Sequence, residues 1–141
     1  METIWYITGG LLVPFFGYVF YSWWKMKKMP MGPESEKIRN LDDKNFNHQV
    51  GNGIALVDFW ASWCMPCRMM TPVLNEVAEE VDSSVRICKV NIEQHQSIAN
   101  RFSVRNIPTM LIFRNGKEVD RIVGVKSKDF LIRKINMLKY K

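Results

Sequence analysis

The apolar and polar positions of the chain divide it into two unlike parts. Residues 4–24 form 21 consecutive positions without a charge, apolar on every face of a helix. From Glu34 onward, charges return at ordinary density and short apolar runs alternate with helical periodicities. At about 1.5 Å rise per residue, the first stretch is as long as the roughly 30 Å hydrocarbon core of a bilayer. Trp5 and Tyr6 near one end, with Tyr21, Trp23 and Trp24 near the other, are placed as interfacial aromatic belts. A cleavable leader would have a basic start, a shorter apolar centre and small residues at the cut. Here Glu2 precedes the run and Ser22-Trp23-Trp24-Lys25 ends it, so the pattern predicts a retained transmembrane helix with the lipid bilayer as a partner. Lys25, Lys27 and Lys28 follow, and Pro30, Gly32 and Pro33 break the helix. The expected organisation is an anchor with a basic flank over 1–28, a linker over 29–36 and a soluble domain over 37–141.

Within that domain, Phe46 and Val50 stand four apart behind Asp42 and Asp43, predicting a capped helix over 44–50. Gly51-Asn52-Gly53 ends it. Residues 54–61 are then nearly all apolar, the pattern of a strand covered on both faces. Met70, Val73, Leu74, Val77 and Val81 recur at helical spacing, residues 85–90 make a second core strand, and Ile98 with Phe102 marks a short helix. Residues 109–113 and 119–123 flank Asn115-Gly116, a pair suited to a type I′ hairpin turn. Ser127 can cap a last helix whose buried stripe is Leu131, Ile135 and Leu138. The fold class is α/β, a mixed sheet with helices on both faces.

Composition changes this picture little. Twenty Lys/Arg against 14 Asp/Glu give a net charge of +6, spread without the basic, aromatic-interleaved stripe of a nucleic-acid binder. Three cysteines are too few, and odd in number, for a disulfide-stapled scaffold. Two of them form Trp63-Cys64-Met65-Pro66-Cys67, at the point where a buried strand hands over to a helix. Unpaired N–H groups and the dipole at a helix N-terminus stabilise a thiolate, so Cys64 is expected to be the exposed, activated nucleophile, with Cys67 one turn inside and shielded. Pro66 fits that first turn, where its missing N–H would be unpaired anyway. A zinc site is the competing reading. It would need ligands beyond this pair, and Cys88, His48 and His95 stand singly and far apart. No metal is therefore expected, and Cys88 in its apolar strand reads as a small core hydrophobe.

The residues around the motif resemble the thioredoxin family. The resemblance runs over residues 34–141 through ordered elements: Val57-Asp58-Phe59-Trp60-Ala61-Ser62-Trp63-Cys64-Met65-Pro66-Cys67, Pro72, Lys89-Val90-Asn91-Ile92, Ile107-Pro108-Thr109, Phe113-Arg114-Asn115-Gly116 and Val123-Gly124. It implies a central five-stranded mixed sheet flanked by four helices, and reduction of protein disulfides. It further implies no bound cofactor beyond a redox-active Cys64–Cys67 disulfide, which electrons reach from NADPH through a thioredoxin reductase or another dithiol donor. Asp58 would lie under Cys67 as its proton acceptor, with Lys89 as charged neighbour. Burial should raise the Asp58 pKa towards neutrality, as suits a base working near pH 7. Pro108 is similar to the family's cis-proline facing the disulfide. Trp63, Met65, Pro66, Ile107, Val123 and Gly124 would surround the pair with an apolar surface for extended substrate chains. Thioredoxins usually carry glycine where Met65 stands, and a transmembrane anchor is not typical of them.

The expected activity is thus dithiol exchange by a membrane-tethered thioredoxin whose soluble domain is monomeric. The alternatives are an exported oxidase, isomerase or extracytoplasmic reductase of the same fold, and a tethered binding module with dispensable cysteines. Lys25, Lys27, Lys28, Lys37 and Arg39 follow the apolar run, and no Lys or Arg precedes it. The positive-inside tendency then places the N-terminus outside and the thioredoxin domain in the cytoplasm.

Overall fold

The computed structural model describes residues 2–27 and 32–140, and the side chains of the first helix over 12–25. Two units emerge, 1–31 and 32–141. The first is a single helix, α1 (Glu2–Lys27), with Pro14 inside it. Its described aromatic and aliphatic side chains, among them Val13, Phe16, Tyr18 and Phe20, are exposed. Among the described residues, no helix is long and apolar enough to cross a membrane, so the transmembrane span expected over 4–24 is not found. The start of that run, with Trp5 and Tyr6, lies outside the described side chains, as do Lys27 and Lys28 and the tether residues 29–31.

The second unit runs β1 (Ile38–Asn40), α2 (Phe46–Val50), β2 (Ile54–Trp60), α3 (Met65–Glu80), β3 (Val85–Asn91), α4 (Gln96–Arg101), β4 (Thr109–Arg114), β5 (Lys117–Val123) and α5 (Lys128–Lys139). The five strands lie in the order β1-β3-β2-β4-β5. β2 is central: it runs parallel to β3 and antiparallel to β4, while β1 joins β3 in parallel and β5 joins β4 in antiparallel. This is the expected mixed sheet with four helices around it.

Alternation along the central strands divides the core in two. Leu56 and Ile87 point to the face covered by α3 and α5, where Met70, Leu74, Val77, Leu131 and Ile135 pack on them. Val57, Phe59, Cys88 and Val90 point to the opposite face, with Phe46, Val50 and Ile98. There Phe46, Phe102 and Phe113 form a ring cluster with centroids 5.1–5.6 Å apart. Both faces are dry, which is why the strands read as continuous apolar runs.

The hairpin turn is as predicted. Asn115 and Gly116 take φ of 49° and 82°, the left-handed pair of a type I′ turn. The Asn115 side chain accepts from Gly53 N–H at 2.9 Å, tying the turn to the loop before β2. Ser127 caps α5 by accepting from Phe130 N–H. The first soluble helix begins two residues late, because the Asp42 carboxylate accepts from the Lys44 and Asn45 N–H groups and holds them in a turn.

Candidate active site

The site is built where β2 ends. After Trp60 the chain turns through Ala61, Ser62 and Trp63 and enters α3, with Cys64 as the N-cap residue and Pro66 in the first turn. Two contacts fix the turn. Ser62 N–H donates to the Glu93 carboxylate at 2.7 Å, and the Arg68 guanidinium donates back to the Ser62 carbonyl at 2.9 Å. Cys64 Sγ accepts from Cys67 N–H at 3.2 Å, in the position a capping oxygen usually takes. An N-terminal N–H and the helix dipole therefore act directly on this sulfur. Cys64 and Cys67 are joined as a disulfide, their Cα atoms 5.3 Å apart.

Both cysteines are buried, at 4% and 2% exposure. The expected contrast between an open Cys64 and a shielded Cys67 is thus small in the disulfide form. Ala61, Trp60, Ile92 and Ile107 pack around the pair. Exposed beside it on the chain are Trp63 at 65% and Met65 at 47%, with Pro66 open as well. Ile107–Pro108 is a cis peptide, as the family resemblance implied, and Pro108 is buried. Its carbonyl accepts from Gly124 N–H at 2.9 Å, and Val123 pairs with Thr109 on the neighbouring strand. The loop that brings Ile107 against the disulfide therefore carries Val123 and Gly124 with it. Gly124 has a φ of 83°, a left-handed position suited to glycine.

Two charged side chains are buried within the sheet. Asp58 and Lys89 are register partners on β2 and β3, two residues beyond Leu56 and Ile87, so both point to the α3 face. Each is 1% exposed. Asp58 Oδ1 has no hydrogen-bond partner. Loss of hydration is the main reason its pKa is raised to about 7, with Lys89 opposing and Glu34 reinforcing the rise. The Lys89 ammonium forms an ion pair with Glu34 and lies 4.7 Å from the centre of the Trp60 ring. Lys89 is accordingly not an ordinary surface lysine.

Glu34 was not among the residues the sequence singled out, because it sits in the stretch read as linker. Residues 33–37 are in fact seated on the domain. Asn75 donates to the Pro33 carbonyl and accepts from Ser35 N–H, while Glu79 accepts from Ser35 Oγ and pairs with Lys37. No signal in the local sequence separates such a segment from a free tether.

Cys88 is a free, fully buried thiol whose pKa burial pushes up to about 11, which makes it a core residue and a poor nucleophile. Among the described residues, no group of three or more His, Cys, Asp or Glu is placed to hold a metal ion.

The thioredoxin family model matches residues 37–137. The chain belongs to the thioredoxin family. A thioredoxin of Chlamydia caviae is 50% identical over 99 residues, which make up 70% of this chain and 96% of that one. A thioredoxin of Rickettsia bellii is 41% identical over 99 residues, 69% of this chain and 94% of its own. Among solved structures, a mutant thioredoxin from Halobacterium salinarum NRC-1 superposes with a TM-score of 0.67 at 27% identity, covering 75% of this chain and 94% of that one. The thioredoxin domain is therefore a thiol–disulfide oxidoreductase, with the Cys64–Cys67 pair at the start of α3 as its redox-active disulfide.

Proposed function

We propose that this thioredoxin reduces disulfides of protein substrates near a membrane surface, held there by α1 and facing the cytoplasm. The observation that carries the chemistry is a disulfide at a helix N-terminus with a buried carboxylate, one of its oxygens without a hydrogen-bond partner, on the strand that leads into it. In the dithiol state, Cys64 thiolate attacks one sulfur of the substrate disulfide. A Cys64–substrate disulfide forms, and the other substrate sulfur leaves as a thiolate and takes a proton from water. Cys67 then gives its proton to Asp58 and attacks Cys64 Sγ, releasing the second substrate thiolate. Two electrons have passed to the substrate and the Cys64–Cys67 disulfide remains. A thioredoxin reductase drawing on NADPH, or another dithiol donor, returns it to the dithiol.

The other residues serve binding. Trp63, Met65 and Val123 offer exposed apolar surface, while Ile107, Pro108 and Gly124 shape the wall beside the disulfide. An extended substrate strand suits a surface of this kind.

Membrane tethering rests on the charge-free run over 4–24, which lies within the 26-residue helix α1, and on the exposed apolar side chains of that helix. The cytoplasmic side follows from Lys25, Lys27, Lys28, Lys37 and Arg39 after the run. It also agrees with a reducing role, since thiols there are kept reduced. The test treats intact cells with a membrane-impermeant maleimide, before and after permeabilisation. Labelling of reduced Cys64 should require permeabilisation. Labelling of intact cells would reverse the orientation and favour an exported oxidase, isomerase or reductase.

A further inference from the structure

One cation, Lys89, and two carboxylates, Asp58 and Glu34, act on one another beside Trp60, and the cation is not shared evenly. Lys89, from β3, is the register partner of Asp58 on β2, yet its ammonium pairs with Glu34. Glu34 comes from the segment before β1, and its side chain is 25% exposed, against 1% for Asp58. On both sides of Glu34 the segment is fastened to α3: Pro33 and Ser35 to Asn75 at 2.8 and 2.9 Å, Ser35 to Glu79 at 2.6 Å, and Lys37 to Glu79 at 2.6 Å. The Trp60 ring lies 4.7 Å from the same ammonium. The ammonium still acts on Asp58 through space, holding its pKa down, but its direct ion pair is with Glu34. The dry Asp58 is left with an oxygen that has no hydrogen-bond partner.

We propose that Glu34 is a positioning residue for proton transfer at Asp58: by holding Lys89 it withholds a counter-ion from Asp58, so the seating of residues 33–37 on α3 sets how readily Asp58 accepts a proton. The proposal rests on the reading of Asp58 as the acceptor for Cys67. The charged groups that act on Asp58 are Lys89 of β3 and Glu34 of the segment before β1, joined by Cys67 when the protein is reduced if the reading of Asp58 as its acceptor holds; Met110, its partner on β4, carries no charge. Releasing Glu34 would free Lys89 to turn to its register partner and give the ionised form of Asp58 a counter-charge.

The experiment follows the Asp58 carboxyl by carbon-13 NMR in the oxidised full chain, in detergent micelles, across pH 4 to 9. Glu34→Gln, which keeps shape and removes charge, should lower the Asp58 titration midpoint by ~0.5–1 pH unit. In a Lys89→Met background the same substitution should have a clearly smaller effect, because Lys89 transmits it. An unchanged or raised midpoint, or an equal fall in both backgrounds, would overturn the proposal. A merely structural Glu34 would lower the unfolding midpoint in urea and leave the Asp58 titration where it was. The pH profile of substrate release from the mixed disulfide separates the two readings. If it shows no limb at the Asp58 midpoint, Asp58 is not the acceptor, whatever NMR says of Glu34.

Discussion

Cys64→Ser should abolish disulfide reduction, whereas Cys67→Ser should stop after one bond is made and accumulate a covalent adduct with substrate. The asymmetry follows from the two positions in α3. Cys64 is the N-cap, where the Cys67 N–H and the helix dipole stabilise its thiolate. A serine there ionises far too weakly to attack a disulfide at neutral pH. Cys67 lies one turn inside, and its work begins after the mixed disulfide has formed. Without it, the intermediate has no internal nucleophile to release substrate. Non-reducing gels and intact mass of each variant after mixing with insulin read the outcome directly. Adducts on Cys64→Ser, with none on Cys67→Ser, would exchange the roles of the two cysteines.

Asp58→Asn should slow resolution of the mixed disulfide and, at alkaline pH, stabilise the fold. The rate effect comes from losing the proton acceptor, a contribution on the order of 10²-fold at pH 7. The rate limb near pH 7, where Asp58 titrates, should disappear with it. The stability effect has the opposite sign to that of an ion-paired aspartate. Burial raises the folded pKa of Asp58 from its ordinary value of 3.8 to about 7. Between these values the folded chain binds more protons than the unfolded chain, so stability falls as pH rises through this window and levels off above it. The penalty at pH 8 is on the order of a few kcal/mol, and an amide of the same shape should avoid it. Lys89 does not become an orphan in this variant, since Glu34 holds it. Urea unfolding should therefore show Asp58→Asn well above the parent chain at pH 8 and close to it below pH 4. Equal stability at both pH values, with unchanged exchange kinetics from pH 6 to 9, would reduce Asp58 to a packing role.

These outcomes also mark how far the sequence could be read. β2 and β3 were legible because both faces of the sheet are covered and the strands are apolar nearly throughout. The hairpin declared itself through Asn115-Gly116, whose backbone needs two left-handed residues, and α5 through the Ser127 cap. Pro108 stood out through the family's motif, not through local composition. β1 escaped the periodicity entirely: it has three residues, and Ile38 alone is buried. It is visible once β3 offers an edge for it to pair with. Glu34 escaped for a related reason, since its partner Lys89 lies 55 positions away and only the folded sheet brings the two together. The last residues of the stretch read as linker are pinned to α3 by the same kind of distant contact. The depth of Cys64 was also invisible, because Trp60, Ala61, Ile92 and Ile107 converge on it from three separate stretches of chain.

The central claim is that electrons leave through Cys64 and Cys67 together. The fully reduced full chain, mixed with a stoichiometric amount of insulin and quenched with an alkylating reagent, tests it by mass spectrometry of both partners. One Cys64–Cys67 disulfide should appear for each insulin disulfide opened, with Cys88 remaining an unmodified thiol until the chain is denatured. Insulin reduction without formation of that disulfide, or a fully reduced pair that leaves insulin intact, would contradict the account.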